Sequence, residues 1–249
     1  MLAALAQRRP IEEPVAIVVA HPDDETIAAG GSLHLMRHLL LVHVTDGAPR
    51  RLGDAAREGF ATPAEYAASR AQELDAALAL SGASPIRKGL DVADQEATDC
   101  ISEIAARLRT LFRAHDVRHV MTHAYEGGHP DHDAIALAVR LVADDIYEFA
   151  GYHAASGGGI LTGKFLEGTG EIAVELPDAD LARKRAMLDC FRTQKELLAN
   201  FDPATERFRP APTYDFTAPP HPGQLLYEEW GWMTGADWRR RAREARCAA

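Results

Sequence analysis

Only three of the 249 residues are cysteine, Cys100, Cys190 and Cys247, and none stands in a CxxC pair. That spacing excludes a zinc ribbon and offers no disulfide framework, and an odd number of isolated thiols suits a reducing cytoplasm. No uncharged apolar stretch approaches the roughly 20 residues of a membrane span. Residues 1–14 carry Arg8, Arg9, Glu12 and Glu13 without an apolar run, so they do not read as a secretory leader. Basic charge is also scarce: 27 Lys and Arg stand against 37 Asp and Glu, a net charge of −10. A nucleic-acid-binding surface over the whole protein is thereby excluded, while a small neutral substrate is not. There is no low-complexity tract, and no internal repeat beyond one doubled tripeptide. The expectation is a soluble, cytoplasmic protein. Its 47% hydrophobic and 26% charged residues are ordinary globular composition, at a length that buries one full core.

Short apolar runs alternate with helical patterns. Residues 15–20 are β-branched and nearly all apolar, as a strand covered on both faces requires. The pattern predicts helices over 26–38, 63–80, 97–115 and 130–142, and strands over 39–45, 84–90 and 117–122. The 63–80 helix is the best marked, with Thr62 as N-cap, Pro63 at the first helical position and Gly82 just past the end. This order predicts an α/β fold, a mostly parallel sheet with right-handed crossovers. Residues 146–152 and 171–176 read as strands around the glycine-rich loop 156–170, followed by a helix over 178–200. Six of the 14 prolines fall in 203–222 and all three tryptophans in 230–238. One domain over 1–249 is expected, with 1–13 a flexible N-terminus and 201–249 an extension packed on the same domain.

The doubled tripeptide is His-Pro-Asp. Its first copy, in His21-Pro22-Asp23-Asp24-Glu25, follows the strand at 15–20, and its second, in Gly127-Gly128-His129-Pro130-Asp131-His132, follows the strand at 117–122. Loops at strand ends are where open α/β sheets build their sites. Acidic residues after a proline also make good helix starts, but that explains the acids and not the histidines. Hydrolytic zinc takes three protein ligands and keeps one position for water. His21, Asp24 and His132 can supply two imidazoles and a carboxylate. Asp23 is then free to take a proton from a water activated by the metal. His129 is the residue to polarise the scissile carbonyl or protonate the leaving amine, and Asp131 can fix a histidine tautomer.

These motifs resemble those of the PIG-L/LmbE-like zinc deacetylases, which remove acetyl groups from N-acetylglucosaminyl compounds. The resemblance implies a Rossmann-like sheet, matching the series above, over about residues 14–150. It implies one zinc per chain at His21, Asp24 and His132, another divalent metal being the alternative. It also implies Asp23 as general base, His129 as the transition-state residue and Asp131 as the residue that tunes a catalytic histidine. Two shorter matches come with it. Ser69-Arg70-Ala71-Gln72-Glu73-Leu74 resembles a family helix whose arginine reaches substrate hydroxyls, and the loop at 90–96 makes Asp94 a sugar contact. In some members a tyrosine two residues before the second His-Pro-Asp-His helps hold the oxyanion; here that position is Gly127, and Tyr125 is the nearest tyrosine to take its place. The partner implied is a small N-acetylated sugar conjugate, without nucleic acid or a membrane span, and with homo-oligomerisation left open.

Other signals carry less. His34, His38 and His43 read as surface or packing residues, and Tyr152 and His153 as pocket lining or core. Trp230, Trp232 and Trp238 offer either a stacking face or an anchor for the C-terminal segment. Segment 203–222 is expected to shape the pocket rim. The leading function is zinc-dependent N-deacetylation of an amino sugar. A zinc amidase on a bulkier N-acyl group or a thiol conjugate is the alternative. A non-catalytic sugar-binding protein is disfavoured by Asp23, and a non-haem iron oxygenase by Asp23 and the α/β order.

Overall fold

The computed structural model describes residues 1–248. Its strands are β1 (Val15–Val19), β2 (Leu39–Pro49), β3 (Ile86–Asp94), β4 (His119–His123), β5 (Ile146–Phe149), β6 (Tyr152–Ala154), β7 (Ile160–Thr162), β8 (Ile172–Glu175) and β9 (Thr205–Pro210). Its helices are α1 (Leu2–Ala6), α2 (Asp24–Ala29), α3 (Gly53–Arg57), α4 (Pro63–Leu80), α5 (Ile101–Ala114), α6 (Pro130–Arg140), α7 (Asp178–Leu188), α8 (Lys195–Leu198), α9 (Leu226–Glu229) and α10 (Gly235–Ala248).

Seven strands form one sheet in the order β3-β2-β1-β4-β5-β9-β8. The first five run parallel, β9 pairs antiparallel with β5, and β8 pairs antiparallel with β9. Successive side chains of a strand point to opposite faces, and β1 shows the consequence. Ala16 and Val18 join one apolar cluster with Ile101, Leu108, Leu137 and Trp238 from α5, α6 and α10. Val15, Ile17 and Val19 join another with Leu74, Leu78 and Met187 from α4 and α7. Helices therefore cover both faces, which is why β1 is apolar throughout. No described helix is long and apolar enough to cross a membrane.

Several boundaries differ from expectation for physical reasons. The 26–38 pattern resolves into α2 and a 3₁₀ turn at Leu33–Leu35. Gly31 marks the break: a Cβ there would lie 2.4 Å from Leu176 Cδ1. The 178–200 helix ends at Leu188, and the turn that follows lets Thr193 bond Glu73 through its N–H (3.1 Å) and its hydroxyl (2.7 Å). Residues 1–13 are not a loose end, since Leu5 is fully buried and Arg8 donates to Ser32 Oγ and Gly31 O, both at 2.6 Å. The proline-rich stretch supplies β9, a strand inside the main sheet. Its inward residues include Glu206, bonded to Lys184 Nζ at 3.0 Å, and Arg209, bonded to Glu148 Oε2 at 2.9 Å. A strand that buries ion pairs has no apolar alternation to read.

Candidate functional site

β1 lies between β2 and β4, so the strand order reverses beside it, and such a switch point opens a crevice at the C-terminal strand ends. Both His-Pro-Asp loops sit there. In the first, Asp23 has a φ of 141°, which side-chain-bearing residues avoid at a cost of about 1–3 kcal/mol. Its N–H donates to Glu25 Oε2 (3.1 Å), and the fully buried Glu25 also meets His43 Nε2 at 3.0 Å. Asp24 accepts the His21 N–H at 2.8 Å. In the second loop His129 caps α6, and its Nδ1 accepts the Asp131 N–H at 3.1 Å. A neutral His129 therefore carries its proton on Nε2. Gly128 is required: a Cβ would fall 1.9 Å from the Tyr152 carbonyl oxygen.

The two loops bring His21, Asp24 and His132 together. His21 Nδ1 lies 3.2 Å from Asp24 Oδ2, His132 Nε2 lies 3.4 Å from Asp24 Oδ1, and the two ring nitrogens are 3.3 Å apart. Tetrahedral zinc with bonds of about 2.0–2.1 Å has ligand–ligand edges of about 3.3–3.4 Å. The two imidazole nitrogens and the Asp24 carboxylate, its two oxygens each turned to one ring, therefore match the spacing and the donor types such a site uses. His21 Nε2 is held from behind by Asp94 Oδ1 at 3.1 Å, with Asp131 Oδ2 at 3.6 Å. Carboxylates behind a ligating histidine orient its ring and raise its basicity. A second acid–histidine group, His21, Asp94, His129 and Asp131, fits a metal less well. Asp131 already accepts the Gln95 N–H (2.7 Å) and the Ala97 N–H (3.0 Å).

Asp23, Asp24 and Asp131 are buried and Asp94 nearly so, with Arg70 the buried cation among them. An acid excess of this kind suits a bound cation. Burial pushes the Asp23 carboxyl up to about 8, against the pull of Arg70. Burial would also raise Asp24, but His132 and His123 outweigh it and hold it well below the usual carboxylate range. Asp94 is likewise held low by His21 against its own burial. Burial, then the neighbouring His21, lower His129 well below the ordinary imidazole range, so it is a neutral donor through Nε2.

Sequence reasoning missed His123, at the end of β4. Its Nε2 accepts the Ala20 N–H at 2.9 Å, its ring stacks on His132 at 3.9 Å, and it fixes the ligand from behind. Arg70, expected to reach substrate hydroxyls, spends its fork on the chain: Nη1 donates to Gly47 O (2.6 Å), and Nη2 to Pro22 O (3.0 Å) and Asp23 Oδ2 (2.9 Å). Asp94, expected in a loop, closes β3 and faces His21 and His129. Tyr125 donates to Ala218 O (2.9 Å) and stacks on Trp238, away from the cavity.

The cavity over the site measures about 550 Å³. Segment 203–222 does not shape its rim; residues 192–197, Trp230 and Trp232 do. The Trp230 and Trp232 rings lie 4.7 Å apart, with Trp232 against His129 at 4.8 Å. Trp238 is the anchor, buried and donating to Pro130 O at 3.0 Å.

Residues 16–143 match the family model PIG-L, described as GlcNAc-PI de-N-acetylase. No curated protein matches the chain significantly. Similar solved structures include a deacetylase–teicoplanin complex from teicoplanin biosynthesis, with a TM-score of 0.62 and 16% identity over 81% of this chain and 100% of that one. N,N'-diacetylchitobiose deacetylase from Pyrococcus horikoshii has a TM-score of 0.52 and 17% identity over 79% and 83%. The 4-carboxy-2-hydroxymuconate hydratase from Pseudomonas putida has a TM-score of 0.52 and 19% identity over 75% and 82%. At these identities the likeness is one of fold, and the fold serves deacetylases and a hydratase alike.

Proposed function

The chain belongs to the PIG-L family, and we propose that this N-deacetylase removes the acetyl group from an N-acetylglucosaminyl-type glycoconjugate, with one zinc ion held by His21, Asp24 and His132. The observation that carries the reading is the meeting of His21, Asp24 and His132, whose ring nitrogens lie 3.3 Å apart and each within 3.2–3.4 Å of one or the other Asp24 carboxylate oxygen, with Asp23 beside them and outside the set. When bound, the cation would polarise the acetyl carbonyl and lower the pKa of a water at its open position to about 7. Asp23 accepts the proton of the attacking water, and Arg70 holds its carboxylate in place. His129, neutral and carrying its proton on Nε2, donates toward the acetyl oxygen. Asp94 and Asp131 orient His21. The amino sugar lies in the cavity beneath Trp230 and Trp232, and its amine leaves with the proton that Asp23 took up. The three free cysteines agree with the cytoplasmic location we assign.

The cavity exceeds what an acetyl group needs, and its tryptophan pair favours a second reading in which the N-acyl group is larger. An acetate-release screen over N-acetylglucosamine conjugates, run on zinc-stripped and zinc-restored protein, tests the first. Zinc-dependent acetate release is the expected result. Cleavage of larger N-acyl amides without acetate release would favour the second.

A further inference from the structure

Glu25 and His43 are buried ionisable side chains that the reaction above leaves unused, and neither lines the cavity. Glu25 stands in α2, and His43 lies on β2 in register with Val19. A carboxylate buried this deeply needs hydrogen-bond donors around it. Glu25 has three. The Thr26 hydroxyl donates to Oε1 at 2.5 Å, and Oε2 accepts the Asp23 N–H (3.1 Å) and the His43 Nε2–H (3.0 Å). Of the three, only His43 comes from another element, so it ties the first His-Pro-Asp loop to the sheet.

That loop holds Asp23 at a φ of 141°. A side-chain-bearing residue stays in such a region only where its surroundings over-determine it. Here they grip Asp23 at three points. Its N–H goes to Glu25, its carbonyl accepts the N–H groups of Thr26 and Ile27, both at 2.9 Å, and its Oδ2 accepts from Arg70. Oδ1 is then the oxygen left for a proton. The carbonyl bonds belong to the first turn of α2, and the Arg70 bond holds the side chain. The Glu25 bond is the one that fixes the peptide N–H of Asp23 and with it the unusual φ. We propose that His43 and Glu25 are positioning residues: the imidazole fixes the Glu25 carboxylate, and Glu25 holds the Asp23 N–H so that the base keeps its strained conformation. This rests on the reading of Asp23 as general base of an N-deacetylase. Neither residue touches substrate.

His43→Leu removes the donor, and His43→Gln keeps an amide N–H at the reach of Nε2. The first readout needs no substrate: hydrogen exchange of the Asp23 amide, followed by NMR on zinc-loaded protein at a temperature where all variants are folded. In His43→Leu that amide should exchange at least about 10-fold faster than in wild type, with the β1 amides unchanged and zinc retained, and His43→Gln should restore the slow exchange. The second readout is turnover of an N-acetylglucosamine conjugate. His43→Leu should lower kcat about 10-fold with little change in KM, because a displaced base costs rate rather than binding. In the Asp23→Asn background the same substitution should change kcat no further, since it acts through Asp23. Wild-type exchange of the Asp23 amide in His43→Leu overturns the proposal. So does an equal fall of kcat in the Asp23→Asn background, a His43→Gln as impaired as His43→Leu, or loss of zinc, each of which makes the pair merely structural. If His43→Leu does not fold, His43→Asn, too short to reach Glu25, is read against the same outcomes. Faster Asp23 exchange in the variant, combined with a wild type that releases no acetate, supports the positioning of the loop and overturns the N-deacetylase reading.

Discussion

Arg70 Nη2 lies 2.9 Å from Asp23 Oδ2, with both side chains buried. The contact joins α4 to the first His-Pro-Asp loop and sets an arginine on the residue proposed as general base. A guanidinium in that position favours the ionised carboxylate, the form that can accept a proton, against the burial that pushes Asp23 up to about 8.

The pH dependence of Arg70→Met follows from that contact. A general base works deprotonated, so kcat/KM rises as pH climbs through its pKa. Removing the Arg70 charge takes away a stabiliser of the carboxylate and raises that pKa further. The acid limb of the kcat/KM profile should therefore move to higher pH by about one unit or more. An unmoved limb with a raised KM would return Arg70 to substrate hydroxyls.

Asp23→Asn should keep its zinc and lose most turnover. The amide preserves size but cannot take up a proton, and a positioned base is worth roughly 10²–10⁴-fold. Turnover near wild type would remove Asp23 from the mechanism.

His129→Ala should lower kcat by about 10²-fold with a smaller change in KM, because its Nε2–H acts as charge develops on the carbonyl. A change confined to KM would make His129 a residue that positions substrate.

Asp94→Asn should weaken zinc binding by about 10–100-fold, as loss of a carboxylate behind a histidine ligand does. Its Oδ1 sits 3.1 Å from His21 Nε2. A competition titration with a zinc chelator measures the change. Unaltered zinc affinity with a raised KM would make Asp94 a sugar contact instead.

What the sequence made legible had local causes. Helix α4 carries its own start and stop in Thr62, Pro63 and Gly82, and it runs over the expected residues. The apolar runs of β1 and β4 and the doubled His-Pro-Asp placed both loops at one end of the sheet. The rest depends on contacts distant in sequence. Arg70 is held on Asp23 because the Gly47 and Pro22 carbonyls close around its fork. Strand β9 went unread because Glu206 and Arg209 are buried through ion pairs made with other elements. His123 enters the site only through the fold and belongs to no motif, whereas Tyr152, read from the sequence as pocket lining or core, does line the cavity.

Zinc stoichiometry, measured on wild type and on His132→Ala purified side by side, tests the central claim most directly. One zinc per chain in wild type and its loss in the variant is the predicted result. Full zinc retention by His132→Ala would contradict the site at His21, Asp24 and His132.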